Sequence, residues 1–208
     1  MSVEFIKRIV SSIILLPLTI YFIIQGSFLL IFFTVICLTV ACLEWHMMSK
    51  KKSYYIYGFI FLIFSFYTFY ELSIELIDVF YVIITCSSTD IGGYVFGKIF
   101  KGPKLTKISP KKTYAGMFGG YFLSLISLSV IISFLDYDTT VVLFLLTILI
   151  STVSQLGDII ISYFKRLSKI KNTGKLIPGH GGLLDRIDGM VFAFPIYYLI
   201  NLTGYLKI

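Results

Sequence analysis

Five stretches of the chain contain no Asp, Glu, Lys or Arg: Ile9–Leu43, Ser53–Tyr70, Thr113–Leu135, Thr139–Gly157 and Gly189–Leu206. A helix needs roughly 20 apolar residues to cross the hydrocarbon of a bilayer, and about 17 suffice. The first stretch has 35 residues, enough for two crossings, with Gln25-Gly26-Ser27 as the turn expected between them. A further, weaker span is Leu72–Thr89, which carries Glu75 and Asp78 and closes just before Asp90. The pattern predicts an all-α fold, a polytopic integral membrane helical bundle of about seven transmembrane helices.

Composition agrees that the bilayer is the solvent. Hydrophobic residues make up 57% of 208 and charged residues 14%, and the mean hydropathy is +0.91. A soluble domain of this length would expose too much apolar surface. Lys7-Arg8 ahead of an apolar run resembles a secretory leader. A second span follows at once, however, with no small-x-small cleavage site before Gln25, so the first helix is expected to remain. Cys37, Cys42 and Cys86 all fall in apolar segments and are odd in number, which reads as buried thiols rather than a disulfide or metal site.

Charge adds a direction. With the N-terminus in the cytoplasm and seven spans, the inside segments are 1–8, 44–53, 90–112 and 158–187, and they hold 17 of the 18 lysines and arginines. The outside turns carry Glu71, Glu75, Asp136 and Asp138 and no basic residue. Lys and Arg accumulate on cytoplasmic loops, so the net charge of +7 belongs to one surface, facing the cytoplasm. Fixing topology accounts for Lys50-Lys51-Lys52 but not for the two long polar segments. The chain reads as one membrane domain, with scaffold spans over 1–84, a functional region over 85–190 and a last span over 189–206.

Three polar constellations fall in that functional region. The first, Ser87–Tyr94, closes the fourth span. A carboxylate at membrane depth costs about 2.5–3.5 kcal/mol on insertion scales, so Asp90 is expected either to cap a re-entrant helix or to contact a metal or nucleotide. Gly92, Gly93 and Gly97 let a helix or ligand approach the backbone. The second is Lys98–Gly120, with six lysines by Lys112 and Ser109-Pro110-Lys111-Lys112-Thr113 just before a span. Free N–H groups at a helix start, with mobile lysines beside them, suit a phosphate; the same loop could serve only as a headgroup anchor.

The third runs from Gly157-Asp158 to Asp188. On a helix, Asp158, Ser162 and Lys165 share one face, with Lys165-Arg166 at the cytoplasmic end. Pro178-Gly179-His180-Gly181-Gly182 cannot be a regular helix and presents backbone amides suited to wrapping phosphate. Asp185 and Asp188 lie three apart at the start of the last helix. Three carboxylates from two helix ends, facing many cationic donors, form the arrangement that a divalent metal ion and a polyphosphate require; Mg²⁺ commonly takes one or two carboxylates plus substrate phosphates.

These segments resemble the phosphatidate cytidylyltransferase (CDP-diacylglycerol synthase) family. Its pattern runs S-x-x-K-R, four residues, K-D, a small residue, a P-x-H-G-G loop and D-R-x-D. Ser162, Lys165, Arg166, Lys171, Gly174, Pro178, His180, Gly181, Gly182, Asp185, Arg186 and Asp188 match in order and spacing. Gly157-Asp158, the Ser-Pro-Lys-Lys-Thr block at 109–113 and Asp90-x-Gly-x-Tyr94 resemble family motifs as well. Two positions depart from it. Lys171-Asn172 stands where the family usually has Lys-Asp, and Thr113-Tyr114-Ala115-Gly116 where it often has Thr-Trp-Glu-Gly. Asn172 is therefore not expected to ligate metal. The chain is also expected to be short for the family, without N-terminal spans that many members carry.

The resemblance implies conversion of CTP and phosphatidate to CDP-diacylglycerol and pyrophosphate in phospholipid biosynthesis. It also implies a bacterial cytoplasmic membrane and Mg²⁺, with room for a second metal ion. Asp158 and Asp185 are then the metal site, with Asp188 as a third ligand, and Asp158, Asp185, Lys165 and Arg186 are the catalytic set. Arg166 and Lys171 would bind phosphates; Ser109, Lys111, Lys112 and Thr113 would cradle CTP or the headgroup. His180, Gly181 and Gly182 would donate to the triphosphate, and Asp90 would touch the substrate. The expected partners are CTP, phosphatidate and the bilayer, with a homodimer as a further expectation and no nucleic acid. A transporter or flippase for an anionic lipid, or another CTP-dependent lipid enzyme such as a polyprenol kinase, would suit some of the same features.

Overall fold

The computed structural model describes residues 17–135, 141–174 and 181–204. Residues 17–25 form α1. It is followed by α2 (Ser27–Ser49), α3 (Tyr55–Leu72), α4 (Leu76–Phe100), α5 (Tyr114–Leu135), α6 (Val141–Leu167), a single-turn α7 (Leu184–Ile187) and α8 (Met190–Asn201). Helices α1 and α2 part at Gly26, where φ is 58°, so the turn falls at Gln25-Gly26-Ser27 as the sequence suggests. Only glycine takes that φ without a Cβ penalty.

The fold is all-α, and among the described residues five helices, α2 to α6, are long and apolar enough to cross a membrane. Two expectations change. The last span, expected over 189–206, is the 12-residue α8, which reaches only about 18 Å at ~1.5 Å per residue, against roughly 30 Å of hydrocarbon. The fourth span does not stop at Thr89. It continues to Phe100, so Asp90 lies inside α4 and caps no re-entrant helix.

Between apolar helices in lipid there is little hydrophobic drive, so close packing and interhelical hydrogen bonds hold the bundle. Helices α4 and α5 approach at backbone contact: a Cβ on Gly116 would lie 2.7 Å from the Gly93 carbonyl oxygen, and one on Gly119 2.9 Å from that of Gly92. Hydroxyl bridges tie α6 to both, Thr89 donating to Ser151 at 2.8 Å and Tyr121 meeting Thr152 at 3.0 Å. Pro195 inside α8 has no N–H for the Val191 carbonyl one turn back. Ser65 of α3 donates to that carbonyl instead, at 2.7 Å. Toward the opposite end of α8, Asp78 of α4 accepts from the Tyr197 hydroxyl at 2.6 Å and from Asn201 at 2.7 Å. The acidic residue that weakened the fourth span in the sequence is a buried pin between α4 and α8. Large apolar side chains such as Phe28, Tyr57, Phe118 and Leu145 face outward, toward the expected lipid.

Candidate active site

At the other end of the bundle, four pieces of chain surround one polar cavity of about 510 Å³. They are the second half of α4, the α4–α5 connection, the end of α6 and the described residues Lys171, Asn172, Asp185, Arg186 and Asp188 that precede the last helix. Their convergence follows from local features. The α4–α5 glycine contact brings Asp90 and Tyr94 beside the start of α5. Thr113 caps that helix, its hydroxyl accepting the Gly116 N–H at 3.1 Å, which satisfies one of the donors a helix start leaves free. The preceding connection folds back as a short bridge, with the Leu105 N–H donating to the Lys112 carbonyl at 2.8 Å. Lys112 is thereby aimed across at α6.

On α6 the expected face is present: Ser162 donates to Asp158 across one turn at 3.3 Å. Two glycines dock the D-R-x-D segment onto this helix. A Cβ on Gly157 would lie 2.8 Å from the Asp188 carbonyl oxygen, and one on Gly189 2.9 Å from that of Ser154. That contact places Asp158 and Asp188 in the same wall.

Charge pairs cross the cavity. Lys112 Nζ lies 2.6 Å from Asp158 Oδ2 and donates to the Gln155 carbonyl at 3.2 Å. Lys165 Nζ lies 2.8 Å from Asp185 Oδ1. The other oxygen of Asp185 accepts from the Thr173 N–H at 2.8 Å, the Thr173 hydroxyl at 3.1 Å and the Gly182 N–H at 3.0 Å. Burial pulls its carboxyl upward, but Lys165 and these amides outweigh it and hold the group below its ordinary range. Asp188 is the reverse. Burial, followed by the Asp158 and Asp90 carboxylates, pushes its carboxyl well above the usual value against a smaller pull from Lys165.

The cavity therefore brings together Asp90, Ser109, Lys111, Lys112, Thr113, Asp158, Lys165, Lys171, Asp185, Arg186 and Asp188. Arg166 is exposed and donates to the Ile170 carbonyl at 3.4 Å, away from the cavity lining. Gly181 (φ 93°) and Gly182 sit behind Asp185 rather than lining the cavity. His180 lies outside the described residues.

The three carboxylates expected to share a metal are not gathered as one set: Asp185 is held by four protein donors, from Lys165, Thr173 and Gly182, whereas Asp158 meets Lys112 and Ser162 and lies beside Asp188. Among the described residues no three His, Cys, Asp or Glu side chains form a ready metal site. Asp158 and Asp188 are the pair that fits a hard divalent cation, because Asp188 stands in a surplus of negative charge that such an ion would relieve.

Sequence reasoning missed Gln155, Thr173 and Glu44. Gln155 was visible as the lone amide in an apolar run, and it lines the cavity. Thr173 carried no signal beyond its place after Asn172. Glu44 follows the first apolar run and carries no marker of a role in the sequence, yet it is 3% exposed.

Comparison with known proteins points the same way. The profile of the Cytidylyltransferase family matches residues 53–203. The phosphatidate cytidylyltransferase of Rickettsia typhi (strain ATCC VR-144 / Wilmington) is 33% identical over 210 residues, covering 94% of this chain and 91% of that protein. That of Staphylococcus aureus (strain COL) is 40% identical over 139 residues, 65% of this chain and 54% of the relative. That of Staphylococcus haemolyticus (strain JCSC1435) is 40% identical over 122 residues, 58% of this chain and 47% of the relative. The chain thus matches about half the length of the two staphylococcal relatives.

Proposed function

The chain belongs to the cytidylyltransferase family, and from that membership and the cavity's chemistry we propose that it converts CTP and phosphatidate to CDP-diacylglycerol and pyrophosphate. The observation that carries the proposal is the lining of one cavity by five cationic side chains (Lys111, Lys112, Lys165, Lys171, Arg186) opposed to Asp90, Asp158 and Asp188 at one end of an apolar bundle. A triphosphate and a lipid phosphate repel each other. Bringing them into line is the main task, and fixed positive charge in a site of low dielectric is the means.

A phosphatidate oxygen, already anionic, attacks the α-phosphorus of CTP. The new P–O bond forms as the bond from the α-phosphorus to the bridging oxygen breaks, and pyrophosphate leaves with that electron pair. No proton moves, so no general base is required. Arg186 can grip phosphate oxygens bidentately, whereas the lysines act as point charges. Lys111, Lys112 and Ser109, carried on the α4–α5 connection, hold the ground-state phosphates. Lys165 keeps Asp185 ionised and in place. Asp158 and Asp188 would hold Mg²⁺, which when bound supplies charge neutralisation at the transferring phosphoryl group.

The acyl chains of the lipid stay in the bilayer while its headgroup reaches the cavity from the basic end of the bundle. The distribution of Lys and Arg supports placing that end in the cytoplasm of a bacterium, with α1 and the α7–α8 segment completing the topology. A transporter is not favoured, since the charges mass at one end rather than midway between repeated halves.

Purified protein with Mg²⁺ and CTP should release pyrophosphate only when phosphatidate is added. Release of CDP would indicate a kinase, and absence of any turnover with both substrates would remove the proposal.

A further inference from the structure

Glu44 lies in the second half of α2, among the spans that the sequence reads as scaffold, yet its carboxylate reaches the segment that carries Asp185, Arg186 and Asp188. Oε1 accepts the Leu183 N–H at 2.8 Å. Oε2 accepts the Leu184 N–H at 2.8 Å and the Thr173 hydroxyl at 2.9 Å. That hydroxyl also lies 3.1 Å from Asp185 Oδ2, so its single proton is shared between the two carboxylates. The chain has closed tightly around the group: a Cβ on Gly174 would lie 2.7 Å from Oε1, and one on Gly182 would overlap the carboxylate.

We propose that Glu44 is a positioning residue for the transfer reaction, holding the turn before α7 so that Arg186 and Asp188 face the cavity. Glu44 does not line the cavity itself. It acts through backbone amides that a four-residue helix cannot satisfy internally. An ionised carboxylate is an unusually strong acceptor for N–H groups in a buried setting, and no neutral side chain at this position offers four lone-pair sites to three converging donors. The cradle for the ground-state nucleotide lies on a different segment, the α4–α5 connection. Loosening the Glu44 clamp should therefore reduce turnover more than substrate affinity.

The inference rests on the proposed transfer activity for its kinetic arm but not for its structural arm. Glu44→Gln keeps the shape and turns an amide donor toward three donors. In the substrate-free protein, hydrogen exchange at Leu183 and Leu184 should accelerate while the amides of α3 keep their protection. With CTP and phosphatidate, kcat should fall about 100-fold, the scale of a misplaced reacting group, with KM for CTP changed less than threefold, and Glu44→Asp should recover part of the loss. Gly174→Ala, which leaves the charge intact and pushes the carboxylate aside, should reproduce both effects if Glu44→Gln fails to fold. Unchanged exchange at Leu183 and Leu184 overturns the clamp. Faster exchange with unchanged kcat overturns its link to the reaction. A wild-type chain inactive toward CTP and phosphatidate refutes the proposed reaction instead, and the exchange result alone then decides whether Glu44 holds the turn.

Discussion

Asp185 and Asp188 stand one helical turn apart and meet opposite electrostatic surroundings. Asp185 has its pKa lowered from 3.8 by Lys165 and amide donors against the pull of burial. Its contribution to stability is complete above that unfolded value and is lost as the pH falls through the folded one. Thermal melts in detergent should show native protein losing stability below about pH 4 more steeply than Asp185→Asn. At neutral pH that variant should be destabilised by about 3–5 kcal/mol, because Lys165 is left buried without its partner. Asp188 carries the reverse sign. Its raised pKa means that ionisation weakens the fold as pH rises above 3.8. Asp188→Asn should accordingly melt higher than the native protein at pH 7 while releasing no pyrophosphate, and added Mg²⁺ should raise the melting temperature of the native protein more than that of the variant. A variant that melts lower would show that the crowding of carboxylates is not felt.

Helix packing sets where these residues stand. The α4–α5 contact has no room for side chains at Gly92, Gly116 or Gly119. Gly119→Val should cost about 1–3 kcal/mol through overpacking and lower turnover, because Asp90 rides on α4 and Lys112 on the connection that leads into α5. The α3–α8 contact joins ring pairs such as Phe61–Phe192 and Phe69–Phe194 to one side-chain hydrogen bond, Ser65 to the Val191 carbonyl. Ser65→Ala leaves the Val191 carbonyl without the donor that Pro195 cannot supply, and a loss of about 1–3 kcal/mol is expected for a buried unsatisfied group. Neither contact is marked by hydrophobic periodicity. The glycines of the α4 segment were visible as a cluster, but their partners on α5 lay across an intervening loop. Nothing in the sequence linked Ser65 to a proline 130 residues later.

At the level of the whole molecule, the chain separates a polar end from an acidic end pinned by Asp78. In a variant lacking Cys37, Cys42 and Cys86, a single cysteine from Lys51→Cys or Lys107→Cys should label from the cytoplasmic side of the membrane. One from Glu75→Cys should label only from the other side; labelling of Glu75→Cys and Lys107→Cys from the same side would break the proposed topology. The long spans, the turn at Gly26, the helical face of Asp158 and Ser162 and the polar segments around the cavity were legible from residue order, because each depends on neighbours within a few positions. The length of α8 was not: the apolar run continues past Asn201, whereas the helix ends there.

What the order of residues determined alone was the solvent, the helical class, the likeness to a family of CTP-using enzymes and the end of the bundle where phosphate-binding groups collect. Each follows from composition or short-range spacing, which survive without knowing which helix neighbours which. Only the folded arrangement decided that Asp185 turns to Lys165 and amides while Asp158 and Asp188 share a wall, that Arg166 faces away, and that Glu44 reaches the turn before α7. Those outcomes depend on distances between segments far apart in the chain. They are fixed by glycine contacts and hydrogen bonds between helices, to which hydrophobic pattern is blind.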